Sequence, residues 1–152
     1  MSVAVRRTTG DHPDALELVA RMTAEVRELY GGDDMPPGSA VSPAQMSPPG
    51  GGFVLLEKDG RALAGGGVKQ LDATAAEIKR MYVLPEARGR GLGRALLEAL
   101  EDLVRDLGYE IARLDTGAKQ PRARLMYERA GYVEIPDYNG NRDAAYWAQK
   151  RV

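Results

Sequence analysis

Three arginines and three glycines are interleaved in Arg88-Gly89-Arg90-Gly91-Leu92-Gly93-Arg94, between a strand-like run and a leucine stripe. The stripe, Leu92, Leu96, Leu100, Leu103 and Leu107, keeps helical spacing until Gly108 stops it. Glycines let the backbone turn tightly and let a ligand approach its amides. The first N–H groups of the helix that follows have no internal partners, and with the helix dipole they form a site for an anion. Arg88, Arg90 and Arg94 crowd the positive end of that helix, where each cation costs about 0.3–1 kcal/mol. A bound di-anion such as pyrophosphate reverses the sign of that penalty. A solvated basic turn is the competing reading.

The dinucleotide fingerprint G-x-G-x-x-G fails, because Arg94 stands where its third glycine belongs. A P-loop fails as well, since no G-K-[ST] closes the segment.

Composition narrows the classes further. The 152 residues fit one domain, 1–152. With 43% hydrophobic and 28% charged residues the make-up is that of an ordinary soluble globular chain. Cysteine is absent, which removes disulfides, thiolate metal sites and a cysteine nucleophile. The single histidine, His12, builds no metal cluster and reads as a helix-turn residue without chemistry. A net charge of −1 points to neither nucleic acid nor an anionic membrane as partner. Met1–Arg7 lacks the apolar stretch of a signal peptide, and no run approaches the ~20 apolar residues of a membrane span. A cytoplasmic location is the expectation.

The rest of the chain reads as a mixed α/β sheet in the order β-α-β-β-β-α-β-α-β-β. Residues 3–7 form a first strand. Asp11 is the expected cap of a helix over 12–30, ended by Gly31-Gly32. Five of the nine prolines and six glycines fall between Gly31 and Gly52, so 33–52 is expected to be a long surface loop, either a connector or an acceptor-binding lid. Asp59-Gly60 turns a hairpin between Phe53–Lys58 and Arg61–Leu71. Within it, Gly65-Gly66-Gly67 marks a bulge or a close approach. Ala76–Val83 follows, then the leucine-striped helix, the strand Ile111–Asp115, a helix Pro121–Ala130, and late strands Tyr132–Ile135 and Ala144–Gln149. The late strands offer an edge on which two copies can pair.

Arg88, Gly91 and Gly93 complete the pattern R/Q-x-x-G-x-G/A, and this segment resembles the cofactor motif of the GCN5-related N-acetyltransferase (GNAT) family. Met81-Tyr82-Val83-Leu84-Pro85 before it and Arg94-Ala95-Leu96-Leu97 after it are similar to family sequence. So is Gln120-Pro121-Arg122-Ala123 through Leu125-Met126-Tyr127-Glu128-Arg129-Ala130-Gly131-Tyr132. The resemblance implies a central, mostly antiparallel mixed sheet flanked by helices, and acetyl-CoA as acyl donor. It implies that amides from Gly89 through Arg90, Gly91, Leu92 and Gly93 to Arg94 bind the pyrophosphate. The strand Met81-Tyr82-Val83 would line the pantetheine arm and Gln120 would contact it. Arg90, Arg94 or Lys119 would take the 3′-phosphate. Met81 N–H would serve the oxyanion.

The same resemblance assigns two catalytic groups. Glu77, eleven residues before Arg88, is the expected base, with an exposed strand glutamate as the alternative. An ordinary Glu, pKa about 4.3, is a poor base for an amine, and Lys79 on the same face opposes any rise. Tyr127 is the expected acid toward the departing thiolate, or else a core tyrosine packed on Leu100 or Leu103. Asp33, Asp34, Asp137 and Asp143 are candidates to recognise a cationic acceptor, and Tyr30 and Tyr138 to line its pocket. Leu114–Pro121 resembles small bacterial members of the family. The expected acceptor is a small amine. Protein N-terminal or lysine acetylation, a non-catalytic acyl-CoA sensor and a nucleotide-phosphate binder are the alternatives.

Overall fold

The computed structural model describes residues 2–31 and 41–152. Its elements are β1 (Ala4–Thr8), α1 (Pro13–Leu29), β2 (Gly52–Lys58), β3 (Arg61–Gln70), β4 (Ala75–Val83), α2 (Leu92–Asp106), β5 (Ile111–Gly117), α3 (Pro121–Arg129), β6 (Val133–Glu134) and β7 (Ala144–Arg151). The expected order holds and the ends shift by a residue or two. One helix cap differs from the expectation. His12, not Asp11, caps α1, its Nδ1 accepting from Asp14 N at 3.1 Å. No helix is long and apolar enough to cross a membrane among the described residues.

The strands form one sheet in the order β1-β2-β3-β4-β5-β7-β6. Neighbours are antiparallel except β4 and β5. A parallel pair needs a crossover, and α2 supplies it.

The three glycines of β3 explain how helices reach both faces. A Cβ on Gly65 would lie 2.8 Å from Leu18 Cδ1 of α1, and one on Gly66 2.9 Å from Leu100 Cδ1 of α2. One on Gly67 would lie 2.1 Å from Met46 Sδ. Successive strand residues face opposite sides, so α1 and Met46 cover one face and α2 the other. The stretch 41–51 is thus no loose connector. Ser42 caps a short 3-10 turn over Pro43–Met46, and Met46 is 2% exposed in the core.

The glycines also permit a bulge. Gly65 opposes Tyr82 and Gly67 opposes Lys79, which leaves Arg80 and Met81 together facing Gly66. Arg80 takes up the extra residue with φ 59, a left-handed conformation uncommon outside glycine. The β4–β5 ladder ends three residues earlier, at Glu77 and Arg113. Beyond that point the two strands share no further pairing, and a cleft opens between them.

Candidate functional site

The glycine loop has the conformation that the sequence implied. Gly89 and Gly91 both hold φ 78, and Gly91 caps α2 with no side chain to satisfy the helix start. Arg88 N bonds Pro85 O, and the next backbone donor to find a protein acceptor is Ala95, which bonds Gly91 O. From Gly89 to Arg94, six consecutive N–H groups have no protein partner among the described residues. Leu92, 4% exposed, roots the helix start in the core. Such a row at a helix N-terminus suits a pyrophosphate, so these residues fit CoA.

The basic side chains divide differently from expectation. Arg88 bonds Glu25 of α1 at 2.7 and 3.0 Å and Val83 O at 3.0 Å, over the Tyr82 ring. Its guanidinium therefore ties α1 to the end of β4 and does not face the loop. The bond to Glu25 holds it more firmly protonated than usual. Arg94 pairs with Glu98, and Lys119 Nζ donates to Leu29 O. Arg90 is exposed and makes no ion pair among the described residues. Arg122, which the sequence reading passed over, lines the cleft at the start of α3. Its nearness to the loop depends on how α3 lies against α2, where Gly93 faces Met126, and local sequence does not encode that.

From the loop a cleft of about 700 Å³ runs between α1 and α3, past Met81, Tyr82, Val83 and Gln120. It merges with an inner cavity of about 210 Å³, because Met22, Val26, Met81, Gln120 and Ala123 line both. Gln120 turns its Oε1 back to accept from Gly117 N at 3.3 Å. Tyr30, at the end of α1, accepts from Lys119 N at 3.2 Å and so bridges the cleft where the two parts meet.

The inner cavity holds Tyr127 but not Glu77. Tyr127 is buried and donates to Met81 Sδ at 3.7 Å, its ring edge-on to Tyr132. Burial, and then the charge of Asp115, push its hydroxyl well above the ordinary phenol pKa. Glu77 is 0% exposed and sits behind the cavity wall, so it is no exposed strand glutamate either. Its Oε2 accepts from Tyr138 Oη at 2.6 Å and Asn139 Nδ2 at 2.9 Å, and its Oε1 lies 3.7 Å from Lys79 Nζ. Tyr138 thus holds Glu77 and does not line the cavity, and burial together with the Glu77 charge raises its pKa.

The same Asn139 amide donates to Asp115 Oδ2 at 2.6 Å, joined by Asn141 Nδ2 at 3.2 Å. Asn139 is itself fixed by Trp147 Nε1 at 3.0 Å. Of the two carboxylates, Asp115 faces the cavity. The sequence reading missed Asp115, Asn139 and Asn141. The available signal was a strand-end aspartate followed by an Asn-Gly-Asn turn. Asp143 and Tyr30 line the cavity as expected. Asp137 instead caps the late turn, accepting from Asn139 N and Gly140 N. Asp33 and Asp34 lie outside the described residues.

Known proteins are similar to this chain in sequence and in fold. The chain is 33% identical over 95 residues to an uncharacterized N-acetyltransferase, YjgM, of Escherichia coli K12, covering 60% of this chain and 56% of that one. It is 39% identical over 58 residues to an aminoalkylphosphonate N-acetyltransferase of Salmonella typhimurium, covering 38% of each. It therefore spans little more than half the length of the first of these relatives and less of the second. An acetyltransferase of the GNAT family from Staphylococcus aureus Mu50 superposes with TM-score 0.77 at 15% identity, over 97% of this chain and 99% of that one. A GNAT acetyltransferase from Elizabethkingia anophelis with acetyl-CoA bound does so with TM-score 0.69 at 13% identity, over 99% and 98%. At such identities the structures speak for the fold alone. The family model for GNAT acetyltransferases, however, matches residues 19–132, from the second turn of α1 through the glycine loop to just past α3, and the chain belongs to that family.

Proposed function

We propose that the protein transfers an acetyl group from acetyl-CoA to the primary amine of a small molecule, by direct attack within one ternary complex. The observation that carries this reading is the continuity of the cleft. Six amides without a protein partner among the described residues, at its outer end, suit a pyrophosphate, and a cavity with a carboxylate and a buried tyrosine lies at its inner end. Acetyl-CoA supplies the thioester, and the residues of this chain do the rest.

An ammonium has no lone pair, so the acceptor must first lose a proton. Asp115 is placed to take it, directly or through water, because it faces the cavity while Glu77 does not. Glu77 acts from behind, fixing Asn139 and through it Asp115. The amine nitrogen then bonds to the acetyl carbon. Met81, at the bulge where β3 offers no register partner, supplies its N–H to the carbonyl oxygen as charge gathers there. As the carbon–sulfur bond breaks, Tyr127 gives its proton to the sulfur, and the second proton that the nitrogen sheds as the amide forms returns through water to the tyrosinate. A phenol of raised pKa is a weak acid, and the transfer works because the hydroxyl is held in place and the proton moves as the bond breaks. Arg90 and Arg122 are placed for the 3′-phosphate, since Arg94 and Lys119 are engaged elsewhere.

The test is calorimetric titration with CoA together with a free-thiol assay across small amines and peptides. CoA binding with thiol release on small amines supports the reading. Release on peptides alone makes the acceptor a protein. Binding without release on any amine marks an acyl-CoA sensor. Absence of CoA binding overturns the reading from the loop outward.

A further inference from the structure

The bulge in β4 does more than bend the strand. In regular pairing, Lys79 and Arg80 would point to opposite faces. With Arg80 at φ 59, Ile78, Lys79, Arg80 and Met81 line the inner cavity in succession. Two cationic residues therefore line a space that an amine is to occupy, an arrangement that disfavours a plain cationic acceptor.

The two cations are not equivalently neutralised. Lys79, 8% exposed, has Glu77 Oε1 at 3.7 Å behind it. Arg80 makes no ion pair or side-chain hydrogen bond among the described residues, and its Nε is shut from solvent without a partner. A buried Nε–H left so is costly unless something completes its bonding. The planar fork of arginine matches a carboxylate or a phosphonate with two parallel bonds. Asp115 and Asp143 line the same cavity, and carboxylates suit an ammonium.

We infer that the acceptor is an amine that also bears an oxyanion, either carboxylate or phosphonate, on a short spacer. Arg80 grips the anion with Lys79 beside it, and Asp115 and Asp143 receive the ammonium. The inference rests on the acetyltransferase reading above and narrows it. The reacting centre is fixed by Met81 and Tyr127, and Arg80 is the residue next to Met81, so anion and amine sit close together. The cavity volume agrees. About 210 Å³ is roughly seven waters' worth of space, enough for an amino-acid-sized molecule. A diamine of equal length would place its second ammonium against Arg80.

The experiment compares kcat/KM for propylamine, β-alanine, 2-aminoethylphosphonate and 1,3-diaminopropane, in the wild type, Arg80→Gln and Arg80→Lys. Melting temperature and acetyl-CoA affinity are measured alongside to confirm the fold. The expected result is an advantage of about tenfold or more for the anionic amines over propylamine. In Arg80→Gln that advantage falls to within about twofold of unity, at unchanged acetyl-CoA affinity. Arg80→Lys retains part of it. Equal rates on propylamine and the anionic amines, or a preference for the diamine, would overturn the inference and leave the acetyltransferase reading intact. An advantage that survives in Arg80→Gln would also overturn it. Acetyl-CoA binding with no acetylation of any amine would remove the reading beneath, and the inference with it.

Discussion

The two ends of the cleft are built from different material. The outer end is backbone. Six amides come from one contiguous stretch, Gly89–Arg94, and two glycines at φ 78 set their direction. The inner end is side chain. Thr23 comes from α1 and Tyr30 from its C-terminal cap, Lys79 and Arg80 from the bulge, Asp115 from β5, and Asn141 and Asp143 from the late turn. A backbone site needs only the absence of Cβ atoms and a helix behind it, so it is written locally. A side-chain site depends on partners more than sixty positions apart, such as Glu77 with Tyr138 and Asn139.

The sharpest way to break this contrast is Gly91→Asp. It forces a Cβ into a left-handed position, which costs about 1–2 kcal/mol, and sets a carboxylate at the amide row. Acetyl-CoA affinity should fall at least about a hundredfold by calorimetry, with a folded protein by circular dichroism. Unchanged affinity would move the anion site elsewhere. Tyr127→Phe tests the other end. It should lower kcat about a hundredfold while the KM for acetyl-CoA moves less than about twofold, and an equal loss in both would make the tyrosine a packing residue.

Glu77→Gln asks whether the carboxylate behind the wall reacts or positions. If it positions, Gln still accepts from Tyr138 and Asn139, and kcat falls by about tenfold or less, whereas Asp115→Asn costs more. The reverse ranking would return the base to Glu77. Buried tyrosines give a related test by pH. Burial raises the pKa of Tyr127, Tyr132 and Tyr138 above the ordinary phenol value of ~10. A raised folded pKa contributes stability that is complete below the unfolded value and is lost as pH climbs through the folded one. Melting temperature should therefore hold to about pH 10 and drop above it, and Tyr138→Phe should soften that drop.

The same contrast explains what the sequence made legible. The leucine stripe, the Asp59-Gly60 hairpin and the interleaved arginines and glycines are local signals, and the elements and the amide cradle follow from them. Even there the side chains answer to distant partners. Arg88 matches the motif, yet its guanidinium turns to Glu25, sixty-three positions away. At the inner end, the distance from the loop singles out Glu77, whereas Asp115 reads only as the end of a strand. Which of the two faces the cavity is decided by where the β4–β5 ladder stops, and neither strand carries that in its own residues. Gly65-Gly66-Gly67 stood for a bulge or a close approach, and both occur because the helices and the bulge need the same missing Cβ atoms.

The smallest effect belongs to the seam between the two ends. Tyr30 spans it, accepting from Lys119 N, and its ring carries the Lys119 ammonium at 5.4 Å. Gly117 leaves room for that hydroxyl, since a Cβ there would stand 1.9 Å from it. Tyr30→Phe removes one hydrogen bond, worth about 1 kcal/mol, and keeps the ring. If the bridge merely holds α1 to the start of α3, KM should rise a few-fold for acetyl-CoA and amine together while kcat stays. If Tyr30 orients the acceptor alone, only the amine KM should rise. A change confined to the amine would assign Tyr30 to the inner end, and a shared change would make it the joint on which both ends depend.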